Sequence, residues 1–158
     1  MKEVNQNQPI SIIRQGKYMF KGGYWDGKFL LFNFQNEDKQ FYITDDYSRV
    51  TCIDNDCNEH YLFVGTVTGR LFIYNLDHEV DGKIELELER ILTDHDSEIT
   101  YLSTSNKINV LASVSVDKTC NLYTYPTFEL FRVIKNEGFH FDYVLIILYL
   151  RYFYLYKQ

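Results

Sequence analysis

The first stretch whose residue types could do chemistry is Asp54-Asn55-Asp56-Cys57-Asn58-Glu59. Carboxylates at alternate positions converge on one ion at the start of a calcium loop. Such a loop also needs glycine at its sixth position and a bidentate acid at its twelfth. Those positions are Glu59 and Gly65. The sequence therefore predicts a solvated turn between two strands here, and no calcium site.

A second candidate is the pattern C-x4-C-x2-H formed by Cys52, Cys57 and His60. Thiolates and imidazoles are ligands that zinc prefers, but structural zinc sites have four ligands and shorter, paired spacings. Because this pattern offers no clear fourth ligand, we interpret Cys52 and Cys120 as buried packing residues. We predict no metal and no other cofactor.

His95 is a third candidate, because a histidine can act as a general base near neutral pH. Catalysis needs partners, and the chain contains no nucleotide-binding glycine motif, no G-x-S-x-G and no H-E-x-x-H. The sequence thus predicts a protein that is not an enzyme and favours a structural role for His95.

Composition sets the class of fold that must position these residues. The 158 residues are 46% hydrophobic and 24% charged, as expected for one globular domain. Aromatic residues reach 17%, with 14 Tyr and 12 Phe, which favours strands. The formal net charge of -6 argues against nucleic acid and against an anionic membrane surface, since both require clustered Lys and Arg.

The cellular compartment is indicated by the cysteines and the N-terminus. Three cysteines are an odd number in a chain of this size, which argues against a disulfide framework and for a reducing compartment. The opening residues, MKEVNQNQPI, lack the apolar segment of a signal peptide. We expect a cytoplasmic protein, at most peripheral on membranes.

Short apolar runs separated by turn residues fill the chain between Lys17 and Lys135, without helical periodicity. Three hairpins have turns at 25–28, 68–70 and 117–119, and the Asp-Gly and Thr-Gly pairs in the first two supply the positive φ that tight turns need. The turns are copies of one unit: Asp26 and Thr68 are 42 residues apart, and Thr68 and Asp117 are 49 apart. A period of about 40–45 residues with four strands is typical of a β-propeller blade.

We therefore predict an all-β fold with about three four-stranded antiparallel blades of an open, incomplete propeller. The expected blades are residues 17–46, 47–94 and 95–135. The N-terminal segment 1–16 contains a candidate inner strand for the first blade, Ile10–Arg14. The longer second interval is explained by an acidic insert, Asp77–Glu89.

The third unit resembles a WD repeat. In that family, a His before the inner strand, a Ser or Thr on the second strand, an Asp in the next turn and an aromatic on the third strand form a buried hydrogen-bonded ladder. The matching positions are His95, Ser113 or Ser115, Asp117, and Tyr123 where Trp is usual. The middle unit departs from the pattern, with Asp46 at the His position and Thr68 at the Asp position.

A longer set of motifs resembles the C-terminal WD repeats of BEACH-domain proteins of the neurobeachin type. The motifs are Gly22–Phe29, Val50–Cys52 and Arg90–Ile99, within residues 17–135. The resemblance implies a non-catalytic scaffold that binds proteins in membrane and vesicle trafficking. Because a closed propeller takes about four to eight blades, we expect the chain to be a fragment of a longer propeller.

The hydrophobic, aromatic tail 136–158 breaks the blade pattern. Tyr143–Leu150 is an unbroken apolar run of 8 residues, followed by Arg151. A membrane-spanning helix needs about 20 such residues, and an arginine near its centre costs about 2.5–3.5 kcal/mol. We favour the start of a further blade. The alternative is a small membrane-anchored protein with a β head and this tail as its anchor.

Tyr24, Trp25 and Asp26 lie at the tip of the first predicted hairpin, and Trp25 is the only tryptophan. In a propeller, the turns between second and third strands share one rim. Large aromatics on loops are enriched among the residues that dominate interface energy. We therefore predict a protein-binding site here, with an unidentified protein partner. The alternative is that Trp25 packs onto a neighbouring loop.

Overall fold

The fold is described from a computed structural model of the chain. The structure describes residues 11–15, 18–22, 27–35, 37–44, 46–56, 58, 60–81, 83–105 and 108–135. These residues form fourteen β-strands and no helix. The predicted contact residues Tyr24, Trp25 and Asp26 and the tail 136–158 lie outside the described residues.

Three four-stranded antiparallel sheets follow one another along the chain. The first blade contains β1 Ser11–Gln15, β2 Tyr18–Gly22, β3 Lys28–Asn33 and β4 Lys39–Ile43. The second contains β5 Val50–Asn55, β6 Tyr61–Thr66, β7 Leu71–Asn75 and, after the small hairpin of β8 Glu79–Val80 and β9 Lys83–Ile84, β10 Glu87–Leu92. The third contains β11 Ile99–Ser105, β12 Val110–Ser115, β13 Thr119–Thr124 and β14 Leu130–Lys135. The expected all-β fold with open four-stranded blades is confirmed.

The two inner strands that open the second and third blades share one irregularity. The antiparallel register shifts between Val50 and Cys52 in β5 and between Ile99 and Tyr101 in β11. A β-bulge of this kind inserts an extra residue and bends the strand. Thr51 and Thr100 occupy the two bulges, so the repeat seen in the sequence is also a repeat in strand geometry.

The core lies between blades, where facing sheets bury alternate side chains. Phe20, Phe29 and Leu31 of the first blade pack with Val64 and Phe72 of the second. A second cluster joins the second and third blades through side chains from both sheets: Phe63, Leu71, Ile73, Ile99, Leu111 and Tyr123. Burial of these apolar surfaces holds neighbouring sheets together.

The acidic insert is a packed element and not only a solvated spacer. Its hairpin, β8 and β9, places Ile84 in the cluster shared by the first two blades, where it is buried. The Tyr42 hydroxyl donates a hydrogen bond to the Ile84 carbonyl at 3.1 Å. Lys83 pairs with Asp38 at 2.9 Å. The insert thus closes one edge of the cluster, which its charge-rich composition did not predict.

Candidate functional site

His95 bonds through both nitrogens of its ring, to one strand of the third blade and to the turn that follows that strand. It lies in the loop between β10 and β11. Its Nδ1 is 2.9 Å from Asp117 Oδ2, in the turn after β12, and its Nε2 is 2.7 Å from Ser113 Oγ on β12. A carboxylate only accepts, so Nδ1 carries the proton and Nε2 accepts from the Ser113 hydroxyl. The structure therefore brings together His95, Ser113 and Asp117.

The same three residue types, in the same order of hydrogen bonds, form the relay of a serine hydrolase. A nucleophile must reach a substrate, however, and Ser113 is 0% exposed. His95 is also buried, and its two ring nitrogens both face protein groups. This arrangement fixes a loop to a sheet and presents no reactive oxygen to solvent.

Asp117 accepts hydrogen bonds from two parts of the blade, the entry loop and the start of β13. It accepts from the backbone amide of Asp96 at 3.0 Å and from the amide and hydroxyl of Thr119 at 2.8 and 2.6 Å. Burial by itself raises the pKa of Asp117, but the hydrogen bonds from Thr119, Asp96 and His95 outweigh it and hold the pKa below its usual value. The ionised form is the one that these bonds stabilise.

The two other predicted ladder positions lie beside this group. The Ser115 hydroxyl donates to the Ser97 carbonyl at 2.9 Å and accepts from the Asp117 amide at 3.1 Å. Ser113, and not Ser115, is the serine bonded to His95. Tyr123 is buried against the second blade, and burial raises its pKa. Asn121, buried between them, donates to the Asp94 carbonyl at 3.1 Å.

The second blade carries an altered version of the same arrangement. Asp46, at the His position, accepts a hydrogen bond from Thr68, at the Asp position, at 2.9 Å. Ser48 donates to Asp46 through its hydroxyl at 2.6 Å and its amide at 3.0 Å, and Arg70 lies 3.4 Å away. In this blade the carboxylate lies in the entry loop and a hydroxyl lies in the turn, and the loop before the inner strand is still tied to the turn.

The loops tied in this way form one rim, which we call the loop rim: Thr44 and the segments 46–49, 66–70, 93–98 and 116–119. The turns at Gly27 and Gly69 pack beneath the loops that enter the second and third blades. A Cβ at Gly27 would lie 2.7 Å from the backbone of Tyr47, and one at Gly69 would lie 2.5 Å from the His95 carbonyl oxygen. Arg49 and Glu98 link the two entry loops at 3.3 Å. The rim is thus braced from blade to blade.

Three hydrophobic side chains of the loop rim face solvent. Tyr47 is 72% exposed, and Val67 and Val116 are 36% and 41% exposed. Tyr47 adopts a φ of 53°, and its amide donates to the Thr44 carbonyl at 2.9 Å. A large aromatic is therefore held outside the core by a well-bonded backbone.

Tyr47 was not among the residues singled out from the sequence. The motif Asp45-Asp46-Tyr47-Ser48 is typical of a polar loop. Tyr47 is not part of an alternating apolar pattern, so the sequence does not distinguish it from its neighbours. The usable signal was its position, one residue after the Asp46 that matches the ladder His. Asp46 is bonded to Thr68 in the turn, and Tyr47 is left exposed beside it.

The described residues of the calcium-like and zinc-like patterns are buried or bonded to other protein groups. Asp56 is wholly buried and accepts from the Tyr61 amide at 2.6 Å and the Tyr125 hydroxyl at 2.7 Å, so the expected solvated turn is wrong at this residue. Cys52 is buried, and His60 pairs with Asp77 at 2.7 Å. Within the described ranges, no group of three metal-ligating side chains converges.

Comparisons with known proteins agree on the architecture. No protein-family model matches the chain, and no curated protein sequence matches it. The solved structure of U3-55K aligns with a TM-score of 0.73 and 12% identity, over 86% of this chain and 42% of that chain. The WD40 repeats of RRP9 align with the same TM-score and identity, over 86% and 41%.

A third solved structure, the computationally designed Ika4 protein, aligns with a TM-score of 0.62 and 19% identity, over 87% of this chain and 77% of that chain. The chain spans about two fifths of the two WD40 chains. At these identities the likeness concerns the fold, which is that of a WD-like β-propeller. In the part of the chain that the structure describes, no helix is long and apolar enough to cross a membrane.

Proposed function

We propose that the chain is a non-catalytic scaffold that binds another protein through the loop rim. The observation that carries this proposal is Tyr47, a 72% exposed aromatic on a loop held by Asp46, Thr68 and Ser48. An exposed aromatic on a rigid loop offers contact area at little cost in conformational entropy. Val67 and Val116 extend the apolar surface, and Arg70, Asp96 and Lys118 provide a mixed-charge border.

In this proposal the ladder residues have a structural role. His95, Ser113 and Asp117, with Ser115 and Tyr123 beside them, hold the entry loop of the third blade against its turn. Their purpose is to fix the rim geometry before a partner arrives. Loops positioned by a rigid scaffold are common places for binding residues.

The test is Tyr47→Ala, compared with Phe41→Ala. Phe41 is an aromatic of similar exposure, 59%, but lies on the outer strand β4, away from the loop rim. We expect Tyr47→Ala to weaken binding by about tenfold or more, as for an interface anchor, and Phe41→Ala to leave it within about twofold. Binding partners are first identified by cross-linking the full chain in cells, and Kd is then measured by calorimetry with the purified partner.

Equal Kd values for Tyr47→Ala and the parent chain would remove the loop rim from the proposal. Trp25→Ala belongs in the same series, because Tyr24, Trp25 and Asp26 precede the turn at Gly27 that packs beneath Tyr47. We expect weaker binding from Trp25→Ala with a nearly unchanged melting temperature. A large fall in melting temperature without loss of affinity would assign Trp25 to packing.

On the sequence resemblance we also propose a place in BEACH-type membrane and vesicle trafficking, as a cytoplasmic protein peripheral on membranes. What supports this is the order of the motifs in Gly22–Phe29 and Arg90–Ile99. Alkaline carbonate extraction of cell membranes tests it, because a peripheral protein enters the supernatant and an anchored one stays in the pellet. Detection on isolated vesicles, lost after carbonate treatment, is the expected result; retention in the pellet would contradict it.

A further inference from the structure

The face of the third blade that points away from the second blade is buried. Its side chains come from β12 and β13, whose register pairs Ala112 with Leu122 and Val114 with Cys120. Together with Val110, these side chains are 8% exposed or less. Leu111 and Tyr123, next to them in the sequence, point to the opposite face, toward the second blade. We call the buried set the distal face.

The described residues do not supply a cover for the distal face. Its cluster includes, among those residues, only side chains of the third blade, with Tyr101, Ile108 and Ile134 at its margin. One face of a single sheet left in water keeps its side-chain tips accessible, because side chains stand out from the pleat. A further segment must therefore cover the distal face.

We propose that residues 139–156 of this same chain cover the distal face. The chain leaves the third blade at Lys135, the last residue of β14, on the edge of the sheet that carries this face. Of the 18 residues from 139 to 156, 15 are aliphatic or aromatic; the exceptions are His140, Asp142 and Arg151. A segment of this composition matches a surface made of valine, alanine, leucine and cysteine.

The length of the connection fits this placement. Strand β12 lies two strands away from β14, which is about 10 Å at the usual strand spacing. The three residues 136–138 span about 10 Å when extended. Tyr143–Leu150, eight residues, would extend over about 26 Å, longer than the six-residue strands β12 and β13. The run is thus long enough to follow the whole distal face.

Cys120 provides a probe of this cover, and Cys52 provides its internal control. Cys120 lies on the distal face, and Cys52 lies between the second and third blades; both are buried. Burial raises the pKa of each thiol to about 12, which slows alkylation further. In a Cys57→Ser background, native-state maleimide labelling followed by mass spectrometry reports the rate at each thiol.

The decisive variant is Ile146→Asp with Ile147→Asp in the full chain. Adjacent residues of an extended segment point to opposite sides, so one new carboxylate enters the interface in either register. We expect the labelling rate of Cys120 to rise at least tenfold while Cys52 stays protected. The matched control is Phe41→Asp, at an exposed position of the first blade, which should change neither rate. Unchanged protection of Cys120, or release of both thiols together, would overturn a local cover.

A photocross-link identifies the covering segment without destabilising it. Ser103 pairs with Ala112 and so lies on the distal face, whereas Val133 pairs with Asn121 and lies on the other. A p-benzoylphenylalanine at Ser103 should cross-link to a peptide from 139–156 within one chain, and one at Val133 should not. Cross-links from Ser103 to residues 1–10, cross-links between two chains, or none at all would each contradict the proposal.

Discussion

Folding shifts the pKa values of two aspartates of this protein in opposite directions. Asp117 receives hydrogen bonds from Thr119 and Asp96, which hold its pKa below the usual value. Asp54 sits on β5, where burial raises its pKa to about 6; the Asn55 amide offsets part of the shift, and the nearby charge of Asp56 adds to it. One carboxyl group therefore stabilises the folded state when ionised, and the other destabilises it.

The pH dependence of stability should separate these two groups. For Asp117, whose folded pKa is lowered, the stabilisation is present above the unfolded pKa near 4 and is lost as pH falls through the folded pKa. For Asp54, the unfolding free energy should fall as pH rises from about 4 to about 6, by roughly 2–3 kcal/mol for a shift of about two units.

We expect Asp54→Asn to raise the unfolding free energy at pH 7 and to remove the decline between pH 4 and 6. Asp117→Asn should lower it by about 1–3 kcal/mol at pH 7, since it leaves buried donors without a charged acceptor. Urea denaturation followed by circular dichroism at several pH values measures both. The same sign for the two variants at pH 7 would contradict the assigned environments.

At the scale of elements, the hairpin turns show how far repetition extends. Gly27 and Gly69 have φ values of 75° and 81°, and Lys118, at the equivalent position of the third blade, has 67°. The left-handed conformation is inexpensive for glycine and costs other residues about 1–2 kcal/mol. The third turn keeps the positive φ of the other two turns, although lysine and not glycine occupies the position.

Substitutions at the two equivalent turn positions should have opposite effects. Gly69→Ala should destabilise the protein by about 2 kcal/mol or more, because the strain of a positive φ adds to a Cβ contact at 2.5 Å from the His95 carbonyl oxygen. Lys118→Gly should be neutral or stabilise by up to about 1 kcal/mol, since relief of strain exceeds the added freedom of the unfolded chain. Thermal unfolding of both variants against the parent checks the difference in sign.

Much of this fold was predictable from the sequence, because strands and turns are local. The repeated turns at Thr68 and Asp117 lie between paired strands in the structure, as expected. The packed hairpin around Ile84 was not predictable, because its two-residue strands are too short to show an alternating pattern of apolar residues. Its burial also depends on side chains of the first blade, which are distant in the sequence. The exposure of Tyr47 likewise follows from which loops converge, and loop convergence is a property of the assembled blades.

At the scale of the whole molecule, polar bonds across blade boundaries supplement the apolar clusters. The Tyr125 hydroxyl of the third blade donates to Asp56 of the second at 2.7 Å, and Arg90 donates to the Thr127 carbonyl at 2.8 Å. Stacked repeats gain stability from such interfaces between nearest neighbours. The second and third blades should therefore unfold together.

Tyr125→Phe tests this coupling. The substitution removes the hydroxyl that donates to Asp56 Oδ2, in a buried side chain. The only other hydrogen bond described for this oxygen comes from the Asn58 amide, at 3.2 Å. We expect a loss of about 1–3 kcal/mol in unfolding free energy. Tyr47→Phe is the control, because it removes a hydroxyl from an exposed side chain and should change stability by less than about 0.5 kcal/mol. Equal effects of the two variants, by urea denaturation, would show that the bond between blades adds nothing.

The fit of each turn glycine beneath the next entry loop bears on how such a chain can lengthen. Gly27 meets Tyr47 and Ser48, and Gly69 meets His95 and Ser97, so both halves of each contact lie within one repeat period. A tandem gene duplication whose breakpoints fall outside these pairs, and not between a glycine and its loop, therefore copies a matched pair, and the new junction needs no compensating substitution. A later substitution in the turn or in the entry loop, without a matching change in the other, would weaken this fit. Among the three described hairpin turns, Lys118 is the position where glycine is absent although φ is positive.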